Sequence, residues 1–179
     1  MNELPKIGPG WTLFLDRDGV INKRLFDSYV LDWSAFEFTP GLLNAAAKIG
    51  KAFDKIIVVT NQQCVAKGLL KQEELDAIHQ QMLEALHAAG MQIDLVLAAT
   101  EFKNGTAQRR KPNIRMGLEA KELIPSIDFS RSIMIGDTNT DILFGKRLGM
   151  FTILVESEER VKEVADLRLP HLAHLSTYL

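Results

Sequence analysis

Five short apolar runs rich in β-branched residues alternate along this chain with amphipathic segments. The runs cover residues 11–16, 55–60, 93–98, 132–136 and 150–155. Because they are continuously apolar rather than alternating, we expect strands that are covered on both faces, as in a parallel sheet. Strands joined by helices in this order predict an α/β fold, a three-layer α/β/α sandwich around a parallel, Rossmann-like sheet.

The segments between the runs are typical of helices. Segments 41–52 and 73–89 carry apolar residues at three- and four-residue spacing. Segment 113–124 begins after a proline, which suits a first helical turn, and segment 141–148 is followed by a glycine, a common C-cap. The tail from residue 156 is charged and then apolar over 167–175, so we expect closing helices there.

Composition limits the class of protein. The chain has 179 residues, 46% of them hydrophobic and 25% charged, which suits a single domain over 1–179. A net charge of -2 argues against a general nucleic-acid binder. The single cysteine, Cys64, excludes an internal disulfide and fits a reducing compartment. Residues 1–10 contain no apolar signal core, and no apolar run reaches the roughly 20 residues that span a bilayer. We therefore expect a cytoplasmic protein without a membrane partner, either a monomer or a homo-oligomer.

Residues 17–39 form an unusually long connection after the first strand. Strand-to-helix loops are commonly about 2–6 residues long, and this one spans about two dozen residues. It contains five aromatic residues, Phe26, Tyr29, Trp33, Phe36 and Phe38. We expect a small packed flap near the carboxyl end of the first strand and no large cap domain.

Polar and charged side chains follow the apolar runs. They are Asp16 and Asp18 after the first run, Thr60 and Asn61 after the second, Arg110 and Lys111 before the helix that follows the third, and Asp137 and Asp141 after the fourth. Ligands bind at the carboxyl ends of parallel strands, so we expect these side chains at one edge of the sheet. Burying paired carboxylates is costly unless a cation such as Mg²⁺ shares them. The mixture predicts a metal held by acids beside a phosphate held by cations and donors.

Each of these patterns also has a simpler explanation. Asp18-Gly19 and Gly136-Asp137 are common turn pairs, and Thr60-Asn61 is able to cap a helix. The basic run 109–111 is able to lie on a solvated surface. Their joint occurrence at the ends of four elements favours a functional site.

These residues also resemble four short motifs of the haloacid dehalogenase-like (HAD) phosphatase superfamily. Residues 16–20 resemble the first motif, Thr60 the second, Lys111 the third, and Gly136-Asp137 with Asp141 the fourth. Residues 16–22 and 110–112 are similar, more narrowly, to the branch of D-glycero-D-manno-heptose 1,7-bisphosphate phosphatases and histidinol-phosphate phosphatase domains.

The resemblance implies a magnesium-dependent phosphatase that acts on a small phosphorylated metabolite. Asp16 is implied as the nucleophile that forms an aspartyl-phosphate, and Asp18 as the acid and base. The implied magnesium ligands are Asp16, the carbonyl of Asp18, and Asp137, with Asp141 nearby. The implied phosphate and substrate ligands are Thr60, Asn61, Arg110 and Lys111.

The chain departs from the branch at its zinc loop. The branch usually carries cysteines and a histidine between the third strand and the Arg-Lys-Pro motif, whereas residues 98–109 contain neither. We therefore expect no zinc site and a shorter polar loop. Thr138 stands where heptose phosphatases tend to have lysine. Cys64 is interpreted as a bystander near the site, and the four histidines, His79, His87, His171 and His174, as packing or surface residues.

Four functions remain open at this point. The leading hypothesis is a sugar phosphatase, with D,D-heptose 1,7-bisphosphate as the named example. Histidinol-phosphate phosphatase and nucleic-acid 3′-end phosphatase are alternatives with the same chemistry. A non-catalytic binding or regulatory protein on the same fold is the alternative from another class. The intact set of motif residues favours an enzyme.

Overall fold

A computed structural model describes residues 3–103, 108–158 and 160–179. Its six strands are β1 (Thr12–Leu15), β2 (Lys55–Asn61), β3 (Leu95–Ala99), β4 (Ser132–Gly136), β5 (Phe151–Val155) and β6 (Leu167–Leu169). Its α-helices are α1 (Leu42–Ala52), α2 (Gln72–Ala88), α3 (Arg115–Leu123) and α4 (Asn139–Leu148). Short 3₁₀ turns cover Trp33–Ala35, Phe129–Arg131 and Leu172–Tyr178. In these ranges, no helix is long and apolar enough to cross a membrane.

All six strands are parallel and run in the order β3-β2-β1-β4-β5-β6. The chain therefore leaves β1 toward one side of the sheet and returns to its other side at β4. Such a reversal opens a crevice at the carboxyl ends of the two central strands. Asp16 directly follows β1 and Asp137 directly follows β4, so the fold brings both acids to this crevice.

The sheet is covered on both faces, which confirms the predicted three-layer α/β/α sandwich. Leu13 and Leu15 of β1 point into a core shared with α1, α2 and the last 3₁₀ turn. Phe14, between them, points into a second core shared with α3 and α4. Since neighbouring residues of one strand face opposite cores, the continuous apolar runs follow from burial on both sides.

The tail departs from the prediction. Residues 167–175 were expected to form closing helices, but Leu167–Leu169 form a sixth strand that pairs in parallel with β5. Leu167 and Leu169 are buried and Arg168 is exposed, so the apolar pattern of this segment has period two rather than the helical period. Only the following 3₁₀ turn packs on α1 as a closing helix.

The flap is packed by its aromatic residues, with one exception. Trp33 stacks on Phe36 with ring centroids 4.7 Å apart, and Phe36 meets Phe38 edge to face. Phe36 is buried, whereas Phe26 is 47% exposed and contributes little to the packing. The predicted polar loop at 98–109 includes residues 104–107, which lie outside the described residues.

Candidate active site

A buried lysine and a carboxylate face each other at the centre of the crevice. Lys111 Nζ lies 2.8 Å from Asp16 Oδ1, 2.6 Å from Asp141 Oδ1 and 2.6 Å from the carbonyl oxygen of Val59. Burial raises the pKa of Asp16, Lys111 opposes this rise, and the neighbouring acids Asp141 and Asp18 add to it. Burial by itself would lower the pKa of Lys111, but Asp141 and Asp16 outweigh it, so the net shift is upward. The lysine is therefore held charged beside both acids.

Asn61 fixes the position of this lysine. Its Oδ1 accepts a hydrogen bond of 2.9 Å from the backbone N–H of Lys111, and its Nδ2 donates to the Lys111 carbonyl at 3.2 Å. Asn61 was predicted to bind phosphate or substrate, but in the structure its side chain binds the backbone of Lys111. Asn61 places Lys111 at the end of β2 although 50 residues separate them.

Three acids converge beside the lysine. Carboxylate oxygens of Asp16, Asp137 and Asp141 all lie within 4.8 Å of one another. Asp141 is held at the start of α4, where its Oδ2 accepts from the backbone N–H of Thr138 at 3.0 Å and from its hydroxyl at 2.6 Å. Close packing makes two glycines obligatory here. A Cβ on Gly19 would lie 2.2 Å from Asp137 Oδ2, and one on Gly136 would lie 2.0 Å from the Cβ of Asp141.

The acid cluster fits a divalent metal. Asp137 Oδ1 is buried without a hydrogen-bond partner among the described residues, and burial together with Asp16 and Asp141 raises the pKa of Asp137. Buried carboxylates that repel one another call for a shared cation, and carboxylate oxygens are the ligands that Mg²⁺ prefers. In the described part of the chain, this is the only such cluster of acids, histidines or cysteine.

Asp18 belongs to a separate network. Arg17 Nη2 donates to both of its carboxylate oxygens, at 2.9 and 3.0 Å. Asn22 donates to Oδ1 at 2.9 Å, and Gln62 to Oδ2 at 2.7 Å. Burial raises the pKa of Asp18, but Arg17, Asn22 and Gln62 outweigh it and hold the pKa below its usual range. Asp18 is therefore an oriented, ionised carboxylate in this structure.

Arg17, which binds Asp18, also contacts His79, and the sequence motifs do not indicate this second contact. The Arg17 side chain is fully buried, and its Nη1 lies 3.2 Å from His79 Nε2 on α2. Burial, and then the charge of Arg17, lower the pKa of His79 to about 4. A neutral imidazole is therefore able to accept from the guanidinium. His79 was interpreted as a packing or surface residue; it packs inside, in contact with the arginine that binds Asp18.

The backbone just before Lys111 is bound by the carboxylate of Glu101. Glu101 Oε2 accepts from the backbone N–H groups of Arg109 and Arg110, at 2.9 and 3.3 Å. Burial raises the pKa of Glu101, but these backbone hydrogen bonds outweigh it, so the net shift is downward. Arg109 in turn pairs with Glu119 of α3 at 2.9 Å and donates to the Ala98 carbonyl at 3.0 Å.

The structure brings most of the predicted site residues together. Asp16, Asp137, Asp141 and Lys111 share one cluster, and Asp18 lies beside it. The Thr60 hydroxyl is bound by Gln62 Nε2 at 2.8 Å, which ties Thr60 to the Asp18 network. Arg110 is half-buried and lines a cavity next to Lys111. Sequence reasoning missed Arg24 of the flap, whose Nη1 donates to Asp137 Oδ2 at 2.6 Å.

This combination of sheet and site is that of the HAD-like hydrolases. A family model described as HAD-hydrolase-like matches residues 108–175. D-glycero-alpha-D-manno-heptose-1,7-bisphosphate 7-phosphatase of Mycobacterium bovis is 34% identical over 76% of this chain and 72% of its own length. D-glycero-beta-D-manno-heptose-1,7-bisphosphate 7-phosphatase of Rhodopseudomonas palustris is 33% identical over 82% of this chain and 83% of its own length.

A solved structure agrees with these relatives. D,D-heptose 1,7-bisphosphate phosphatase from B. bronchiseptica, complexed with magnesium and phosphate, superposes with a TM-score of 0.83 at 25% identity. The match covers 93% of this chain and 96% of that chain. The chain therefore belongs to the D-glycero-D-manno-heptose-1,7-bisphosphate phosphatase family of the HAD-like hydrolases, and it is a phosphatase.

Proposed function

We propose that the chain removes one phosphate from D-glycero-D-manno-heptose 1,7-bisphosphate in a magnesium-dependent reaction. The observation that carries this proposal is the contact between Asp16 and Lys111 at the rim of a three-acid cluster. A carboxylate, a fixed cation and a metal site at one point are what phosphoryl transfer to an enzyme carboxylate requires. The identity of the sugar in this proposal comes from the relatives that are named for this activity.

Asp16 acts as the nucleophile in the first step. One of its carboxylate oxygens attacks phosphorus, and the bond between phosphorus and the sugar oxygen breaks with its electron pair on the oxygen. That oxygen takes a proton from Asp18, which leaves an aspartyl-phosphate and the free sugar hydroxyl. Lys111, bound to Asp16 Oδ1 at 2.8 Å, orients the nucleophile and neutralises charge as the phosphoryl group moves.

Asp18 reverses its role in the second step. Water attacks the phosphorus of the aspartyl-phosphate, Asp18 accepts the proton, and the Asp16 carboxylate leaves as inorganic phosphate is released. The ionised state favoured by Arg17, Asn22 and Gln62 suits this base role. A phosphate dianion beside Asp18 favours the protonated acid that the first step needs, since a nearby negative charge raises a carboxyl pKa.

Magnesium fits beside these residues. Asp16, Asp137 and the carbonyl of Asp18 would hold it, with Asp141 held close by its cap on α4. When bound, the ion neutralises phosphoryl oxygens and aligns the group with its attacker. The residues around it then exclude bulk water, because Asp137 and Asp141 are buried at the base of the crevice.

Phosphate release with and without a chelator tests the proposal. The substrates are heptose 1,7-bisphosphate in both anomeric forms, histidinol phosphate, other sugar phosphates and 3′-phosphorylated DNA. We expect magnesium-dependent turnover with the heptose bisphosphate preferred. Preference for histidinol phosphate or DNA would keep the chemistry and reject the substrate. Release from none of them, with magnesium bound, would support the binding-protein alternative.

Asp16→Asn separates chemistry from folding. The amide keeps the shape of the side chain but is a poor nucleophile, so turnover is expected to fall by at least about 10³-fold. Glu122→Gln, at an exposed site on α3, is the matched control and keeps wild-type turnover. Near-wild-type activity of Asp16→Asn, with an unchanged melting temperature, would remove Asp16 as the nucleophile.

A further inference from the structure

The Arg17 guanidinium is bound on two sides, by residues from distant parts of the chain. Its Nε donates to Asp18 Oδ1 at 3.3 Å, and its Nη2 donates to both carboxylate oxygens at 2.9 and 3.0 Å. Its Nη1 lies 3.2 Å from Nε2 of His79, which is 62 residues further along the chain, on α2. The Arg17 side chain is fully buried, so these hydrogen bonds lie in a low-dielectric interior, where they are stronger than in water.

His79 determines which way this guanidinium faces. In the part of the chain that the structure describes, Asp18 and His79 are the only side chains that accept from it. Without the imidazole, Nη1 would have no side-chain acceptor there. A buried charged donor without an acceptor is costly, so the guanidinium would turn away from its present plane in search of one. The contact with His79 therefore helps to keep the other side of the guanidinium against Asp18.

The contact requires one particular tautomer of His79. Burial, and then the charge of Arg17, lower the pKa of His79 to about 4, so the neutral ring carries a single proton. A guanidinium is only a donor, so Nε2 must accept and the proton must lie on Nδ1. Because the hydrogen bond at one ring nitrogen decides the protonation of the other, the Nδ1–H form is a measurable signature of this contact.

The position of His79 is fixed by the packing of α2. His79 is 7% exposed and shares the buried face of the helix with apolar residues. The buried residues of α2 are Leu75, Ile78, His79, Met82 and Leu86. The apolar members belong to the core that also contains Leu13 and Leu15 of β1. A group presented by a packed helix is held more precisely than one on a loop, so α2 gives Arg17 a rigid support.

Arg17 is the main support of the Asp18 carboxylate. Asn22 and Gln62 each donate to one oxygen of Asp18, whereas Arg17 contacts both. If the guanidinium turned, two of the three partners would remain, and Asp18 would shift without being released. General acid–base catalysis is worth about 10²–10⁴-fold, and a displacement of about 1 Å is able to cost about 10²-fold. A partial shift of Asp18 is therefore expected to cost about tenfold in rate.

We infer that His79 is a positioning residue for Asp18, because it orients Arg17 and the oriented guanidinium holds the carboxylate where protons are transferred. The inference rests on the proposed function, in which Asp18 is the acid and the base, and it adds a residue that lies outside the sequence motifs. His79 acts on Asp18 through Arg17. We therefore expect it to affect kcat while the binding of substrate and of magnesium is unchanged.

Steady-state kinetics with heptose 1,7-bisphosphate, on the full chain with magnesium, test this role. For His79→Leu we expect kcat to fall about tenfold, with KM and the dissociation constant for Mg²⁺ within about twofold of wild type. His79→Gln keeps an acceptor for Arg17 and should recover most of kcat. A rise in KM without a fall in kcat, or a glutamine variant as slow as the leucine variant, would overturn the inference.

Matched variants separate positioning from folding. His87→Leu makes the same change at an exposed histidine of the same helix and is expected to keep wild-type kcat. An equal fall in kcat in His79→Leu and His87→Leu would overturn the inference. His79→Asn serves if the leucine variant does not fold, since its shorter amide stays polar but withdraws the acceptor from Arg17. It is expected to lose kcat as His79→Leu does, and wild-type kcat in His79→Asn would contradict the role.

The tautomer decides the contact without any substrate. Long-range ¹H–¹⁵N correlation spectra of the full chain, with ¹⁵N-labelled histidine, are recorded at about pH 7. The signals of His79 are those that disappear in His79→Gln. We expect a proton on Nδ1 and none on Nε2. The Nε2–H form or a doubly protonated ring would overturn the inference. Absence of turnover in the wild type would reject the proposed function instead, while the tautomer still decides whether His79 supports Arg17.

Discussion

Arg24 of the flap and Asp137 at the end of β4 form a direct ion pair. Arg24 Nη1 lies 2.6 Å from Asp137 Oδ2, and 113 residues separate the two along the chain. The arginine therefore stands where a metal ion would neutralise the same carboxylate. The pair also links the flap, which continues the first strand, to the acid cluster.

Arg24→Met is expected to strengthen magnesium binding. Without its competing charge, the dissociation constant for Mg²⁺ should fall about fivefold, which corresponds to about 1 kcal/mol. Titration calorimetry of each protein at the same fixed pH measures this constant. Arg24→Lys keeps the charge and should stay close to wild type. Weaker binding in Arg24→Met would show that the arginine supports the metal instead of competing with it.

His79 is expected to make folding stability depend on pH. Its pKa is about 4 in the folded protein against 6.5 as the ordinary value. The unfolded chain therefore binds a proton first as the pH falls. The stability contributed by the neutral imidazole is complete above pH 6.5 and is lost as the pH falls through about 4, up to about 3 kcal/mol.

Urea unfolding of wild type and His79→Gln at several pH values checks this dependence. Arg17 and Asp18, and Asp76 on α2 itself, are the charged groups around His79, and both proteins keep them. Glutamine is able to accept from Arg17 without titrating, so the difference between the two curves isolates the imidazole. Parallel curves across this window would show that His79 is not held neutral.

Arg17 is expected to be essential for stability as well as for the placement of Asp18. Arg17→Met leaves Asp18 partly buried without its main partner, and breaking such a pair costs about 3–5 kcal/mol. Chemical denaturation measures the loss. Arg115→Met, which removes an exposed pair with Glu119, is the control and should cost no more than about 1 kcal/mol. Similar losses in both variants would contradict the interpretation.

Glu101 is expected to act as a positioning residue for Arg110. Glu101→Ala removes the acceptor of two backbone N–H groups, so KM for the bisphosphate should rise about tenfold while kcat changes by less than about twofold. Glu101→Gln keeps an oxygen at the same place and should recover most of the affinity. Steady-state kinetics give both constants. A fall in kcat without a change in KM would place Glu101 in the chemistry instead.

Much of the fold and the site was predictable because it depends on local order along the chain. The apolar runs that end in Asp16 and Asp137 identify central strands, and a parallel sheet must bring their carboxyl ends together. Lys111 was included in the predicted site because it lies shortly before α3, the helix that follows β3. These relationships need only the order of the elements.

The rest depends on contacts that no local pattern records. His79 lies on the inner face of α2. Its spacing from the other buried residues of the helix would be the same whether it packed against a leucine or against Arg17. Arg24 lies in the connection over residues 17–39, where apolar residues follow no regular spacing that would predict its position. The short strand at 167–169 was the one feature with an available signal, since Arg168 alternates with two leucines, but three residues are too few to outweigh a helical interpretation.

The side chain of Asn61 imitates a peptide group, since it both accepts from and donates to the backbone of Lys111. Lys111 lies in the connection that leads from β3 to α3. At the other end of this connection, the Gln62 N–H donates to the Ala99 carbonyl at 2.8 Å. Ala99 and Lys111, at the two ends of the connection between β3 and α3, are thereby both bound to the end of β2. The lysine therefore keeps its place beside Asp16 through contacts at the two ends of this connection.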